Sequence, residues 1–118
     1  MMTLRLRVEL APQAYPEACR TLRSLLGPIR AQPGCRATRL MGDLDGEGSL
    51  TFVEEWRDQA DLEAHLHSAA FRKIVAVLEQ GVVAPEVEID EIASRSGVEL
   101  VERILTGDRR SGLEHQDE

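Results

Sequence analysis

Residues 3–10, TLRLRVEL, alternate strictly, with Leu4, Leu6, Val8 and Leu10 on one side and Arg5, Arg7 and Glu9 on the other. A period of two sends successive side chains to opposite faces, which predicts a strand with one buried face. The period then changes. Ala18, Leu22, Leu25, Leu26 and Ile29 recur at helical spacing, and Pro16 sits where a first turn tolerates a missing N–H. Gly27-Pro28 is expected to end or kink this helix, and Pro33-Gly34 to close the segment. CRATRLMGDL (35–44) and SLTFVEEW (49–56) read as strands joined by the turn cluster Asp45-Gly46-Glu47-Gly48, a hairpin.

Asp58 is a good N-cap for a second helix, and Asp61 in its first turn suits the helix dipole. Leu62, Leu66 and Ala69 supply an apolar face, and Ser68 is a point of interruption before FRKIVAVLEQ (71–80). Gly81 and Pro85 bound its end. EVEIDEI (86–92) alternates as a last strand, with Val87 and Ile89 against Glu86, Glu88 and Asp90. GVELVERIL (97–105) fits a short strand or a helix equally. The polar tail, 106–118, is expected to be disordered.

The order β-α-β-β-α-β, with right-handed crossovers, predicts a ferredoxin-like α+β domain over residues 3–105. Both helices then lie on one face of a four-stranded antiparallel sheet, with the first and last strands as antiparallel neighbours. The opposite face would show Arg5, Arg7, Thr51, Val53, Glu55 and Arg57. Such a mixed surface suits either solvent or a homodimer made by stacking two sheets.

The chain has 118 residues and a net charge of −7, which argues against a nucleic-acid binder that works by neutralising phosphates. Residues 1–39 hold seven Arg against Glu9 and Glu17, so a basic first third faces an acidic remainder. The predicted topology absorbs this asymmetry, because Arg5 and Arg7 share a sheet face with Glu88 and Asp90. Cross-strand pairs of that kind contribute ~0.2–1 kcal/mol each. No apolar run is long enough for a membrane helix and the N-terminus lacks a signal-like core, so a cytoplasmic protein is expected. Cys19 and Cys35 lack metal or redox spacing and read as small half-buried thiols.

Chemistry concentrates between residues 52 and 71. By parity Leu50, Phe52, Glu54 and Trp56 share the core face, which puts a carboxylate where an unpaired charge is costly. Three accounts fit: a bulge at Glu54-Glu55 that resets the phase, a structural ion pair to a helix Arg, or a pocket carboxylate bonded to a histidine. His65 borders the apolar face of its helix and can reach the sheet beneath it. An imidazole, with an ordinary pKa of about 6.5, can take a phenolic proton near neutrality. His67, two positions on, points the other way, so the two cannot clasp one metal, and no metal site is expected. Trp56 reads as core or pocket wall, and its ring is suited to stacking on a planar molecule. Phe52 and Phe71 read as core.

PGC at 33–35 opening a strand, Glu54-x-Trp56 closing one, and DLEAHLHSAAF at 61–71 together resemble the antibiotic biosynthesis monooxygenase family of the dimeric α/β-barrel group. The resemblance spans roughly 3–105. It implies a homodimer through the sheet face and a pocket between sheet and helices. It also implies cofactor-free oxygenation of a small electron-rich aromatic such as a quinol. On that resemblance His65 is the expected base and Glu54 its orienting partner, with Trp56, Phe52 and Phe71 holding the ring and no cofactor required. Anthrone oxygenases and haem degraders of this group rely on Asn side chains. The present chain has no asparagine, and Phe52 stands four before Trp56, where some of them place one. A non-catalytic binding or structural dimer is the alternative.

Overall fold

The computed structural model describes residues 1–44, 46 and 48–107. In chain order the elements are β1 (Met2–Glu9), α1 (Tyr15–Arg30), β2 (Cys35–Gly42), β3 (Ser49–Trp56), α2 (Gln59–Leu66), α3 (Ala69–Leu78), β4 (Glu86–Glu91) and α4 (Val98–Leu105). The strands form one antiparallel sheet ordered β2-β3-β1-β4, the ferredoxin-like arrangement expected from the hydrophobic pattern.

The alternating leucines of β1 and the even positions of β3 meet the helices. Leu4, Leu6, Val8, Leu50, Phe52 and Trp56 are buried against Ala18, Leu22, Leu25 and Ile29 of α1, Leu62 of α2, and Ile74 and Val77 of α3. With so few rings, each buried aliphatic side chain contributes ~1.5–3 kcal/mol and the core is a sum of many such terms.

The structure decides four local points. Helix α1 runs through Gly27-Pro28 to Arg30. Pro28 falls in the last turn, where one missing N–H is outweighed by the complete burial of Ile29 and by the bond Arg30 donates to the Thr38 carbonyl at 3.1 Å. Ser68 does break the second helix: its hydroxyl accepts from the Phe71 N–H at 3.2 Å and caps a separate α3. No bulge occurs at Glu54-Glu55, because the β1–β3 register is continuous; the irregularity lies in β2, between Cys35 and Ala37. Residues 98–105 are helical, while the tail at 108–118 lies outside the described residues.

On the face away from the helices, Arg5 pairs with Glu88 at 3.4 Å, and Arg7 meets Asp43 at 3.0 Å and Glu86 at 3.2 Å. The register sets Asp90 opposite Thr3, so Glu86 takes the place expected for it. Two of the seven arginines of the N-terminal third, Arg5 and Arg7, are thus answered inside the sheet. Val87 and Ile89 point to the helix side but stay half exposed, at 55% and 50%, because the helices do not cover this edge strand. Helix α4 buries none of its residues. Among the described residues no helix is long and apolar enough to cross a membrane.

Candidate functional site

The site forms where the ends of β3 and β2 pass under α2. Asp58 starts α2 by accepting from the Asp61 N–H at 2.9 Å, which turns Leu62 and His65, one turn apart, toward the sheet. The expected apolar edge is therefore a buried face that includes the imidazole: His65 is 1% exposed. His67 caps the C-terminus of α2 and is exposed, so the two histidines diverge as their spacing requires.

Beneath His65 lies Glu54, fully buried on the core face where parity places it. The Trp56 Nε1–H donates to Glu54 Oε1 at 3.0 Å, and His65 Nε2 stands 2.9 Å from the same oxygen. The imidazole contact is close enough for an ion pair but oblique to the N–H direction, and Glu54 Oε2 has no partner. One N–H donor and a second ring nitrogen within 3 Å of the same oxygen suit a carboxylate. Of the three accounts of Glu54, the carboxylate beside a histidine is the arrangement present; no helix arginine reaches it among the described contacts.

The Trp56 and His65 rings stack, with centroids 4.6 Å apart and planes 27° from parallel. Phe71 meets the imidazole edge-on at 5.4 Å. Phe52 is buried two residues before Glu54, paired with Leu6 and Leu40 across the sheet, and belongs to the general core. Of the five residues expected at the site, the structure brings Glu54, Trp56, His65 and Phe71 together and places Phe52 in the core beside them.

The other imidazole nitrogen has a partner that the sequence did not advertise. His65 Nδ1 lies 2.8 Å from Gln32 Oε1. Gln32 sits in the α1–β2 connection, its backbone N–H donating to the Ile29 carbonyl at 3.0 Å. The signal was positional. Gln32 precedes Pro33-Gly34, and pairing of Cys35 with Trp56 brings that turn to the end of β3. Gly34 has φ +81 and its carbonyl accepts from the Arg57 N–H at 2.8 Å; a side chain there would run into the Asp61 carboxylate.

Gln32, Pro33, Asp61, Ala64, His65 and Ser68 line an open depression of about 260 Å³ above the cluster. Its polar groups are Gln32, Asp61 and Ser68 at the rim and the edge of the buried imidazole beneath them, with Trp56 behind. Burial, and after it the charge of Glu54, pushes the nearby Cys35 thiol above the ordinary range.

A ferredoxin-like α+β domain with a carboxylate–imidazole pair buried between the third strand and the second helix is the class these features define. The chain belongs to the antibiotic biosynthesis monooxygenase family, whose model matches residues 1–77. Solved structures share the fold. An antibiotic biosynthesis monooxygenase is 24% identical, with TM-score 0.71, covering 80% of this chain and 100% of the other. Rv0793 from Mycobacterium tuberculosis is 24% identical, with TM-score 0.73 and coverage of 81% and 98%. PA3566 from Pseudomonas aeruginosa is 27% identical, with TM-score 0.68 and coverage of 79% and 94%. No curated protein matches the chain.

Proposed function

We propose that this chain is a cofactor-independent monooxygenase of small electron-rich aromatics of the quinol type. The observation that carries the reading is the orientation of His65. One nitrogen is held against a buried carboxylate, while the other faces Gln32 at the wall of an open depression. An imidazole oriented by a carboxylate on one side can act as a general base on the other.

In this reading a phenolic hydroxyl enters the depression and gives its proton to His65 Nδ1. The O–H bond breaks, the electron pair stays on the oxygen, and the imidazolium that forms is stabilised by Glu54. The anion is a far better electron donor to O₂ than the phenol is. One oxygen atom enters the ring and the other leaves as water, so quinol and O₂ give hydroxyquinone and H₂O with the substrate as sole reductant. Trp56 and Phe71 flank the imidazole and keep its inner side dry.

A homodimer is part of the proposal. The Arg95 guanidinium pairs with Glu55 of the open sheet face at 3.0 Å, drawing the segment after β4 toward that face. Beyond Arg95, α4 exposes Val98, Val101, Ile104 and Leu105, apolar surface of the kind that a second copy would cover.

One observation favours a second reading, a non-catalytic homodimer that binds a small molecule or serves as a structural module. The Trp56 and His65 rings touch, so they fill the hollow that a ring-shaped substrate would need between them. The Glu54–His65 pair would then tie α2 to β3. Oxygen uptake with a panel of dihydroxyaromatics separates the two readings. The oxygenase reading expects turnover by the wild type and a loss of ~10²–10⁴-fold in His65→Ala, the usual worth of a general base. Equal rates in both, or none in either, would support the second.

A further inference from the structure

We infer that Gln32 is a positioning residue whose amide turns over to follow the protonation state of His65. The inference rests on the proposed role of His65 as a base and adds what holds that base ready.

The imidazole lies between two groups of different character. Glu54 only accepts: its Oε1 already takes the Trp56 N–H and stands 2.9 Å from His65 Nε2. With a carboxylate oxygen 2.9 Å from Nε2, a neutral ring is favoured with its hydrogen on that nitrogen, even at an oblique angle, and a lone pair on Nδ1. That lone pair requires a donor. A protonated ring carries hydrogen on both nitrogens, and Nδ1 then requires an acceptor.

Gln32, 2.8 Å away, meets both requirements. A half-turn about its terminal bond exchanges an NH₂ group for a carbonyl of nearly the same shape. The carbonyl faces Nδ1 in the structure, which is the arrangement for a ring that carries hydrogen on that nitrogen. The backbone of Gln32 is pinned by its bond to Ile29 and by the Pro33-Gly34 turn that follows, so the turnover involves the side chain alone.

Few other charges bear on the ring. From β3 there is Glu54, and from α2 itself Asp61, one turn earlier, which Arg57 Nε holds at 2.9 Å. β2 brings the Cys35 thiol close to Glu54. α3 presents Phe71, which is uncharged, and the α1–β2 connection presents Gln32.

During turnover the amide N–H would hold the Nδ1 lone pair in line until a substrate hydroxyl replaces it. After proton transfer the carbonyl would accept from the new N–H. A residue that only accepts would trap the ring in its spent form.

The test reads the imidazole nitrogens of the full ¹⁵N-labelled chain by long-range ¹H–¹⁵N correlation through a pH titration, with His65→Gln to assign the signal. Gln32→Glu and Gln32→Met are compared with wild type. The neutral wild-type ring is expected to carry its hydrogen on Nε2. Gln32→Glu is expected to keep both nitrogens protonated to higher pH, and Gln32→Met to let the neutral ring populate both tautomers. A wild-type neutral ring protonated on Nδ1 would overturn the inference, as would identical spectra in all three proteins. These spectra need no substrate, so they stand or fall separately from oxygen uptake.

Discussion

A double-mutant cycle on Glu54 and His65 asks whether the buried pair exists for stability. Glu54→Met keeps the volume but leaves two buried groups, the Trp56 N–H and His65 Nε2, without their oxygen. Each buried polar group left unsatisfied costs ~1–3 kcal/mol, so the single variant should lose about 2–6 kcal/mol. His65→Leu strands a fully buried carboxylate with Trp56 alone, and breaking such a pair from one side costs about 3–5 kcal/mol. Glu54→Met/His65→Leu removes both charges and fills the space with apolar side chains. It still leaves the Trp56 N–H unpaired, but replacing a buried pair by hydrophobic groups is often neutral or stabilising, so the double variant should fall within ~2 kcal/mol of wild type. Urea denaturation gives each free energy, and thermal melts give a parallel reading of roughly 3–5 °C per kcal/mol for a domain of this size. A double variant that is as stable as wild type yet without oxygen uptake would mean that the pair is retained for chemistry. Additive losses, with coupling under about 0.5 kcal/mol, would refute the claim that the two residues act on each other at all.

Three further outcomes follow from particular contacts. Burial first, and the charge of Glu54 second, raise the Cys35 thiol, so Glu54→Gln should lower its pKa and speed its alkylation in mildly alkaline buffer; an unchanged rate would mean that Glu54 carries no charge there. Because the folded-state value lies above the ordinary one, the stability linked to Cys35 is fully present below the thiol's unfolded pKa. It is lost as pH rises through the folded one, which a melt series across alkaline pH will register. Gly34→Ala forces φ +81 on a side chain that meets Asp61, and should cost about 1–3 kcal/mol by denaturant titration; a neutral substitution would show that the Pro33-Gly34 turn does not constrain the site wall. Val101→Glu with Ile104→Glu should convert a dimer to a monomer in sedimentation analysis, and dimers that persist would remove α4 from the interface.

The parts of this molecule that were legible in its sequence are those governed by a local period. Parity alone assigned Leu50, Phe52, Glu54 and Trp56 to one buried face, and Asp58 announced a helix start because a cap acts within three residues; Ser68, read only as an interruption, caps α3 in the same way. Val87 and Ile89 show the limit of such reasoning. Alternation gives the face on which a side chain lies, but only the extent of the helices decides whether anything covers it. Pro28 shows another, since its penalty depends on how much the last turn buries, and Ile29 buries fully. Gln32 escaped for a third reason: it lies in an aperiodic connection, and its partner is 33 positions away.

The same distinction bears on what the site can do. The family resemblance rests on short segments that fix the backbone, a turn before β2, the end of β3 and the α2–α3 junction, and it holds although the chain has no asparagine. A shared fold therefore carries, in this chain, its own set of polar groups. In place of amides on the strands there is a carboxylate on β3, an imidazole on α2 and one amide reaching in from a loop. Strand groups buried in the core cannot move without disturbing the sheet, whereas a loop glutamine at the wall of a depression can turn. If proton transfer takes place here, the fixed members Glu54 and Trp56 set the orientation of His65, and the adaptable member stands on the solvent side, where the substrate must arrive. Glu54→Gln tests this division of labour. It preserves the shape and the bond to Trp56, so the domain should lose only ~1 kcal/mol, the difference between a charge-assisted and a neutral hydrogen bond. Activity should nevertheless fall by ~10²-fold or more, because a neutral amide cannot stabilise the imidazolium that proton transfer creates. A variant that keeps its activity would place the base elsewhere.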